Sequence, residues 1–175
     1  MEVLHAAEFE TPMGSMRCVS SAIGLVYVEL PSASGRGLHG WMATHAPGAQ
    51  VLDGFAPNRK AVKQLTEYFD GKRESFELSL DMRATAFQLQ VYDAVAAIPY
   101  GATRSYAQVA EQIGRPSAVR AVGAANGANP IPIIVPCHRV IASGGKLQGY
   151  AGGLDMKARL LAMEGAHHPP TDRLF

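Results

Sequence analysis

The sequence contains very little cysteine, and the cysteines that it has are far apart. Only Cys18 and Cys137 are present, and neither a Cys-x-x-Cys pair nor a Cys/His cluster with zinc spacing occurs. A disulfide framework is thereby excluded, and no metal site is predicted. Such sparse cysteine is typical of a reducing compartment, so an intracellular, cytoplasmic location is expected.

Long apolar runs and a secretory signal are also lacking. The first five residues, Met-Glu-Val-Leu-His, do not combine a basic region with an apolar stretch, so no signal peptide is expected. No apolar run approaches the roughly 20 residues that a membrane-spanning helix needs. With 47% apolar and 18% charged residues, the composition is typical of a globular protein rather than a membrane protein.

The 175-residue chain has no strong charge of either sign, but its small charges are unevenly divided. Residues 1–83 carry 8 Lys and Arg against 10 Asp and Glu, a net charge of −2. Residues 84–175 carry 8 against 5, a net charge of +3. This asymmetry slightly favours a polyanionic partner for the second half.

The first half alternates between apolar and polar residues, and we predict an α/β domain over residues 1–83. Residues 2–30 indicate a small antiparallel sheet built from hairpins. Residues 31–54 are rich in Gly, Ser, Ala and Pro and predict mainly loop. Asn58 is predicted to cap a helix that runs to Phe69.

The second half, residues 84–175, is predicted to be mainly helical. Thr85 is expected to cap one helix, and Ser105 and Gln108 form a capping-box pattern at the start of another. A third helix is predicted to open at Pro116 and Ser117 and to run to about Ala125. Two short helices joined by a tight turn favour a helix-turn-helix, although two packed helices with no DNA role have the same pattern.

Two further elements are predicted after this helix pair. Residues 140–150 predict a short hairpin around Ser143-Gly-Gly, which would form a wing beside the helix-turn-helix. Asp155 is expected to open a last helix that ends near Glu164.

The segment Ile-Pro-Ile-Ile-Val-Pro-Cys-His-Arg, residues 131–139, carries the strongest chemical signal. Its β-branched run predicts a buried extended segment, and Pro136 interrupts regular structure just before Cys137. An adjacent imidazole and guanidinium, those of His138 and Arg139, are expected to lower the pKa of the thiol. An isolated cysteine of this kind is otherwise typical of an inert core position.

With its surrounding motifs, this segment resembles the O6-alkylguanine-DNA alkyltransferases. The resemblance covers most of residues 84–165 and is weaker over residues 1–83. Its motifs are Phe-Gln-Leu-Gln-Val (87–91), Ile-Pro-Tyr-Gly (98–101), Ser-Tyr (105–106), Arg-Ala-Val-Gly (120–123), Asn-Pro (129–130), Ile-Val-Pro-Cys-His-Arg-Val (134–140), Gly-Tyr-Ala-Gly-Gly-Leu (149–154) and Glu-Gly (164–165). It implies a ribonuclease H-like N-terminal domain and a C-terminal domain with a winged helix-turn-helix.

The resemblance also implies a role for each of several residues. Cys137 would be the nucleophile and alkyl acceptor, His138 its base, and Glu164 the partner that orients and stabilises the imidazolium. Five residues would bind the flipped guanine or join the elements around it: Tyr106, Asn129, Val140, Tyr150 and Ala151. Five more would contact DNA: Ser105, Arg120, Ala121, Ala124 and Arg139.

The implied function is the direct, irreversible and stoichiometric repair of O6-alkylguanine, and also of O4-alkylthymine. The protein would act as a monomer and bind double-stranded DNA through the minor groove. It would require no cofactor, because the damaged base is itself the alkyl donor. Arg120 would fill the space left by the extruded nucleotide. No metal is expected.

Three other functions are compatible with parts of the pattern. A lesion-binding protein without catalysis would resemble this chain but would lack the acceptor, which Cys137 supplies. A cysteine hydrolase would use Cys137 and His138 with turnover and without DNA. A helix-turn-helix regulator would bind undamaged DNA tightly and with sequence preference.

Overall fold

The computed structural model describes residues 1–31 and 37–166. The chain divides into two compact units, the first comprising Met1–Arg83 and the second beginning at Ala84. Among the described residues, no helix is both long enough and apolar enough to span a bilayer.

The first unit is a four-stranded sheet with two helices. Its strands are β1 (Val3–Thr11), β2 (Gly14–Ser20), β3 (Leu25–Glu29) and β4 (Gln50–Asp53), and its helices are α1 (Gly37–His45) and α2 (Arg59–Phe69). A short 3₁₀ helix, Ala56–Asn58, precedes α2. The strands lie in the order β3-β2-β1-β4.

The antiparallel pairing predicted for residues 2–30 is confirmed, but the whole sheet is mixed because a fourth strand joins it from outside that segment. β1 to β3 pair antiparallel as a meander, but β4 pairs parallel to β1, with Val3 opposite Gln50. A parallel neighbour requires a crossover, which α1 supplies within the segment that we predicted to be mainly loop. Leu38 and Trp41, three positions apart, are the buried residues of α1.

One hydrophobic core cluster of this unit lies between the sheet and α1. Residues from β1, β2 and β3 that share one face pack on the helix, as the period-two alternation of the strands requires. The cluster consists of Leu4, Ala6, Val19, Val26, Leu38, Trp41 and Ala46.

Asn58 occupies the predicted capping position of α2, but its side chain makes no capping bond. The fully buried amide instead donates to the carbonyls of His5 and Gly54 and accepts a hydrogen bond from the Ser20 hydroxyl. Asn58 therefore joins β1, β2 and the start of α2.

We expect Asn58→Ala to lower the free energy of unfolding by about 2–4 kcal/mol, because the carbonyls and the hydroxyl that bind its amide would be buried without a hydrogen-bond partner. Loss of an N-cap alone costs about 1 kcal/mol. Urea denaturation distinguishes the two values, and a loss near 1 kcal/mol would contradict the joining role of Asn58.

The second unit is mainly helical. Its helices are α3 (Ala86–Ala96), α4 (Tyr106–Gln112), α5 (Val119–Gly127) and α6 (Leu154–Met163). Two short strands, β5 (Arg104–Ser105) and β6 (Val140–Ile141), pair in parallel. Helices α3, α4 and α5 pack against one another.

The predicted cap at Thr85 and the predicted capping box at Ser105 are confirmed, and Thr85 also forms a capping box. The Thr85 hydroxyl accepts from the backbone N–H of Gln88, and the Gln88 side chain accepts from the backbone N–H of Thr85. Ser105 and Gln108 make the same reciprocal pair at the start of α4. These bonds depend on local sequence alone, which explains why they could be predicted.

The predicted hairpin over residues 140–150 does not form a strand pair. A turn is present, since the backbone N–H of Gly145 donates to Ala142 and that of Ala142 to Lys146. The chain beyond the turn does not pair with β6, whose partner among the described strands is β5. The carbonyls of Gln148 and Gly149 accept hydrogen bonds from Lys157 instead of from a neighbouring strand.

Candidate active site

The backbone around Cys137 is tightly turned. Buried Ile133 has a φ of 73°, an unfavourable value for a β-branched residue. Pro136 has φ −81° and ψ 65°, and the backbone N–H of Cys137 donates to the carbonyl of Val135 at 2.8 Å, which is an inverse γ-turn. A single 3₁₀ turn, Cys137–Arg139, follows. The cysteine is thus held on a rigid bend.

Two asparagine side chains tie this bend to α5. The amide of Asn129 donates to the carbonyl of Val135 at 2.8 Å, and its oxygen accepts from the backbone N–H of Ile131. Buried Asn126, on α5 itself, donates to the carbonyl of Cys137 at 3.2 Å. These bonds connect the bend to α5 and to the residues that follow it.

The Cys137 side chain is buried, with the residue only 6% exposed. Burial raises the pKa of its thiol, and four influences oppose that rise without reversing it: the amide of Asn129, the charge of Lys157, and the backbone N–H groups of Cys137 and His138. The predicted lowering of this pKa is therefore wrong for the free protein. The thiol holds its proton until a base removes it.

The imidazole of His138 is positioned by a buried carboxylate. Nε2 of His138 lies 2.8 Å from Oε2 of Glu164, and both side chains are completely buried. Because a carboxylate can only accept, Nε2 carries the proton and Nδ1 has a free lone pair. Nδ1 is buried and has no hydrogen-bond partner among the described residues. Burial lowers the pKa of His138 more than Glu164 raises it, so the imidazole is neutral and able to accept a proton.

Arg139, which was predicted to contact DNA, is buried rather than exposed. Its Nε and Nη2 donate to the two carboxylate oxygens of Glu164 at 2.8 and 3.0 Å, and Nη1 donates to the carbonyl of Ile98 at 2.7 Å. The residue is 5% exposed. Its guanidinium is therefore a positioning group for Glu164, and its charge is neutralised there, which explains why it does not lower the pKa of Cys137.

The predicted guanine-binding residues surround the same bend. The hydroxyl of half-buried Tyr106 donates to the carbonyl of Gln148 at 2.8 Å, and its phenol lies close enough for the charge of Cys137 to affect its pKa. The ring of Tyr150 meets that of His138 edge-on, with centroids 6.5 Å apart. Val140 is buried and follows the 3₁₀ turn directly, whereas Ala151 is half-buried.

The other predicted DNA-contacting residues lie on α4 and α5. Arg120, Ala121 and Ala124 are exposed on one face of α5, and the opposite face is buried through Val122, Ala125 and Asn126. The small residues of this helix therefore lie on both faces, with Ala125 on the packed face and Ala121 and Ala124 on the exposed one. Ser105 is the N-cap of α4, where its hydroxyl is engaged with Gln108.

Three residues of the site were missed by the sequence analysis. Lys157 and Asn126 are polar residues at inward positions of their helices, three or four residues from apolar core residues, and that spacing could have identified them. Tyr92, 3% exposed on α3, donates from its hydroxyl to the carbonyl of Ala125. Burial and the charge of Cys137 raise its pKa.

The site has the chemistry of a nucleophile rather than of a metal centre. Among residues 1–31 and 37–166, no three His, Cys, Asp or Glu side chains converge to hold a metal ion. Cys137 instead precedes a histidine whose imidazole is paired with the carboxylate of Glu164, which are the side-chain types that covalent catalysis by a cysteine uses.

Known proteins are similar to this chain in both sequence and fold. A family model described as "6-O-methylguanine DNA methyltransferase, DNA binding domain" matches residues 86–166. A methylated-DNA–protein-cysteine methyltransferase of Mycolicibacterium paratuberculosis is 57% identical over 66% of this chain and 70% of the relative. One of Methanosarcina acetivorans is 42% identical over 93% of this chain and 99% of the relative. The crystal structure of Mycobacterium tuberculosis OGT in complex with DNA is 40% identical, with a TM-score of 0.80 over 98% of this chain and 99% of that one.

A buried cysteine with an imidazole–carboxylate pair beside it, next to a helix whose exposed face carries an arginine, defines a group-transfer protein with a cysteine nucleophile. The chain belongs to the methylated-DNA–protein-cysteine methyltransferase family, whose members repair DNA by transferring a methyl group to a protein cysteine.

Proposed function

We propose that this protein removes alkyl groups from O6 of guanine, and from O4 of thymine, by transferring them irreversibly to Cys137. The observation that carries the proposal is the pairing of His138 with Glu164 at 2.8 Å directly beside the cysteine. Cys18, the other cysteine, is fully buried, and burial alone raises its pKa to about 12. Within the described part of the chain, burial is the cause of its pKa shift, whereas Cys137 also has hydrogen-bond donors and a cation acting on it.

The reaction is a displacement at the alkyl carbon. The proton of the Cys137 thiol passes to Nδ1 of His138, directly or through water. A sulfur lone pair then forms the S–C bond while the C–O6 bond breaks and its electrons pass to the guanine. A proton returned to the purine leaves guanine and a thioether. Water does not displace a thioether, so each molecule reacts once and no cofactor takes part.

Glu164 and Arg139 serve this proton transfer by fixing the imidazole. When His138 accepts the proton, Nε2–H remains bonded to the Glu164 carboxylate, which stabilises the imidazolium. The two bonds from Arg139 keep that carboxylate in place. Orientation and charge stabilisation are thus provided before the substrate arrives.

The guanine pocket is formed by α4, the bend and the segment before α6. Tyr106 would donate its hydroxyl to N3 of guanine, a bond that replaces its present one to the Gln148 carbonyl. Backbone groups of Cys137, Val140 and Ala151 would bind the base edge, and Tyr150 would form a wall. Donors to the purine stabilise the negative charge that develops as the alkyl group leaves.

The DNA partner would be a duplex approached through its minor groove. We propose that α4 and α5 act as a helix-turn-helix in which the small exposed residues Ala121 and Ala124 allow close approach to the backbone. Arg120 would enter the base stack as the damaged nucleotide rotates out. Ser105 lies at the start of α4, where its exposed surroundings suit a phosphate contact. The protein would act as a monomer on chromosomal DNA in the cytoplasm.

The N-terminal unit supports a ribonuclease H-like assignment. What supports it is the strand order β3-β2-β1-β4, with an antiparallel meander and β4 parallel to β1. The turn at residues 142–145 would serve in place of the predicted wing.

Arg120→Ala is expected to slow repair of O6-methylguanine in duplex DNA at least tenfold and to change the reaction with free O6-benzylguanine by less than about twofold. Only the duplex substrate requires extrusion of a base, which costs a few kcal/mol. Single-turnover rates with both substrates check this expectation. Arg159→Ala, which removes an exposed arginine of α6, is the matched control. Equal losses on both substrates would contradict the flipping role.

The alternatives predict different kinetics. A hydrolase would turn over repeatedly without DNA, and a sequence-reading regulator would bind undamaged DNA tightly. A lesion binder would bind and transfer nothing. We expect transfer that stops at one equivalent per protein, with weak, salt-sensitive binding to undamaged duplex.

A further inference from the structure

Lys157 is a charged residue in the core of the second unit. It is 0% exposed, and its Nζ donates to three carbonyls, those of Val140 at 2.7 Å, Gln148 at 2.8 Å and Gly149 at 3.2 Å. An ammonium has three N–H donors, so each finds an acceptor. Lysine is almost never fully buried unless it is paired, and here no carboxylate pairs with it among the described residues.

The three carbonyls border the proposed guanine pocket on two sides. Val140 directly follows the turn that holds Cys137, and Gln148 and Gly149 directly precede Tyr150. The Gln148 carbonyl also accepts from the hydroxyl of Tyr106, and Nζ lies 5.8 Å from the centre of the Tyr106 ring. One ammonium therefore fixes both borders of the pocket from α6.

The charge of Lys157 also acts on the nucleophile. Lys157 lowers the pKa of Cys137, and Cys137 in turn raises that of Lys157, against a larger opposing effect of burial in each case. Burial brings the pKa of Lys157 down to about 8, so most molecules retain the positive charge at pH 7. A cation without a carboxylate partner is free to stabilise a thiolate, whereas the guanidinium of Arg139 is bonded to Glu164.

We propose that Lys157 is a positioning residue for alkyl transfer, which shapes the guanine pocket through three backbone carbonyls and stabilises Cys137 as a thiolate. The proposal rests on Cys137 being the alkyl acceptor. Lys157 makes and breaks no covalent bond and gives up no proton in the reaction. Its charge acts on the sulfur of Cys137, and its hydrogen bonds act on the backbone that lines the pocket.

Four titratable side chains belong to the surroundings of Cys137. Tyr92 from α3, Tyr106 from α4 and Lys157 from α6 interact electrostatically with it, and His138 is its neighbour in the chain. Both tyrosine pKa values are raised, so both phenols are neutral near pH 7. The pKa of His138 is lowered, so the imidazole is neutral as well. Lys157 is thus the member of this set that is charged at pH 7.

The sign of the pH effect follows from this arrangement. Removing the Lys157 charge raises the pKa of Cys137, so the rising limb of the pH–rate profile moves to higher pH. Above about pH 8 the wild-type lysine itself loses its proton, so its advantage declines there. The difference between wild type and variant is therefore largest below pH 8.

The test compares the full-length wild type with Lys157→Met and Lys157→Gln. The substrate is free O6-benzylguanine, which requires no DNA. We expect both variants to react about tenfold more slowly at pH 7, with the profile displaced upward by about one unit, since one pKa unit is a tenfold change in thiolate fraction. Direct titration of the thiolate absorbance in a Cys18→Ser background should show the same displacement.

Two controls separate charge from packing. Leu160→Ala removes a fully buried side chain from the same helix and should lower the melting temperature without displacing the profile. Lys157→Gln retains hydrogen-bond donors but lacks the charge, and it also serves if the methionine variant does not fold.

A wild-type profile in the glutamine variant, or an equal displacement in Leu160→Ala, would overturn the proposal. An alkyl group absent from Cys137 of the wild type would instead refute the proposed function, so the two failures are distinguishable.

Discussion

Cys137→Ser is expected to abolish alkyl transfer completely while leaving binding to alkylated duplex within about threefold of the wild type. A serine hydroxyl is far less acidic than a thiol, and a neutral His138 cannot ionise it enough for attack on an alkyl carbon. The side chain at position 137 is buried, so the substitution changes nothing on the exposed face of α5. Label transfer from methylated DNA measures the reaction, and fluorescence anisotropy measures binding.

Cys18→Ser is the matched control for this experiment, because it removes the other thiol. It should retain full transfer to Cys137, although burial of a hydroxyl in the first unit will lower its stability. The acceptor would be assigned to the wrong residue if the Cys137→Ser variant still accepted the alkyl group. The same would follow if the folded Cys18→Ser variant no longer accepted it.

Arg139→Gln is expected to lower the free energy of unfolding of the second unit by about 3–5 kcal/mol. Removing one partner of a buried ion pair leaves the other charge in a medium of low dielectric constant. Here the partner is Glu164, which loses both bonds from the guanidinium, and the Ile98 carbonyl loses a donor. Transfer should also fall at least tenfold, because Glu164 no longer holds His138 in place.

Denaturant unfolding monitored by circular dichroism checks the stability change, and single-turnover kinetics checks the rate. Arg159→Gln, at an exposed position of α6, should change stability by less than about 0.5 kcal/mol. If Arg139→Gln instead weakened DNA binding with unchanged stability, the guanidinium would be a DNA contact rather than a partner that positions Glu164.

The elements that could be predicted from the sequence depend on neighbours along the chain. The capping boxes at Thr85 and Ser105 and the last helix follow from side chains within a turn of one another. β4 could not be predicted in the same way, because its four residues are mostly exposed and their pairing with β1 is more than forty positions distant. Tertiary pairing, not local preference, decides such an edge strand.

In the candidate site, too, some features could be predicted from the sequence and others could not. The motif around Cys137, His138 and Glu164 could be recognised as a set, and the structure places the last two in contact. The hydrogen-bond partner of Arg139 and the direction of the Cys137 pKa shift could not be predicted, because both depend on burial. Burial turns Arg139 from a surface cation into a partner for Glu164, and it raises rather than lowers the pKa of Cys137.

Lys157 illustrates why polar residues at inward helix positions need attention when a sequence is interpreted. A lysine on an otherwise apolar face of α6 conflicts with simple amphipathic patterning. The conflict is resolved only by carbonyls from two other segments, Val140 and residues 148–149, which the sequence does not place near it.

The most direct test of the account is the mass of the peptide that contains Cys137, measured after the whole protein has reacted with duplex DNA containing O6-methylguanine. The account predicts that one methyl group replaces the thiol hydrogen on that peptide, that guanine is restored in the DNA, and that the reaction stops at one equivalent. An unmodified Cys137 peptide in protein that has repaired the DNA would contradict it.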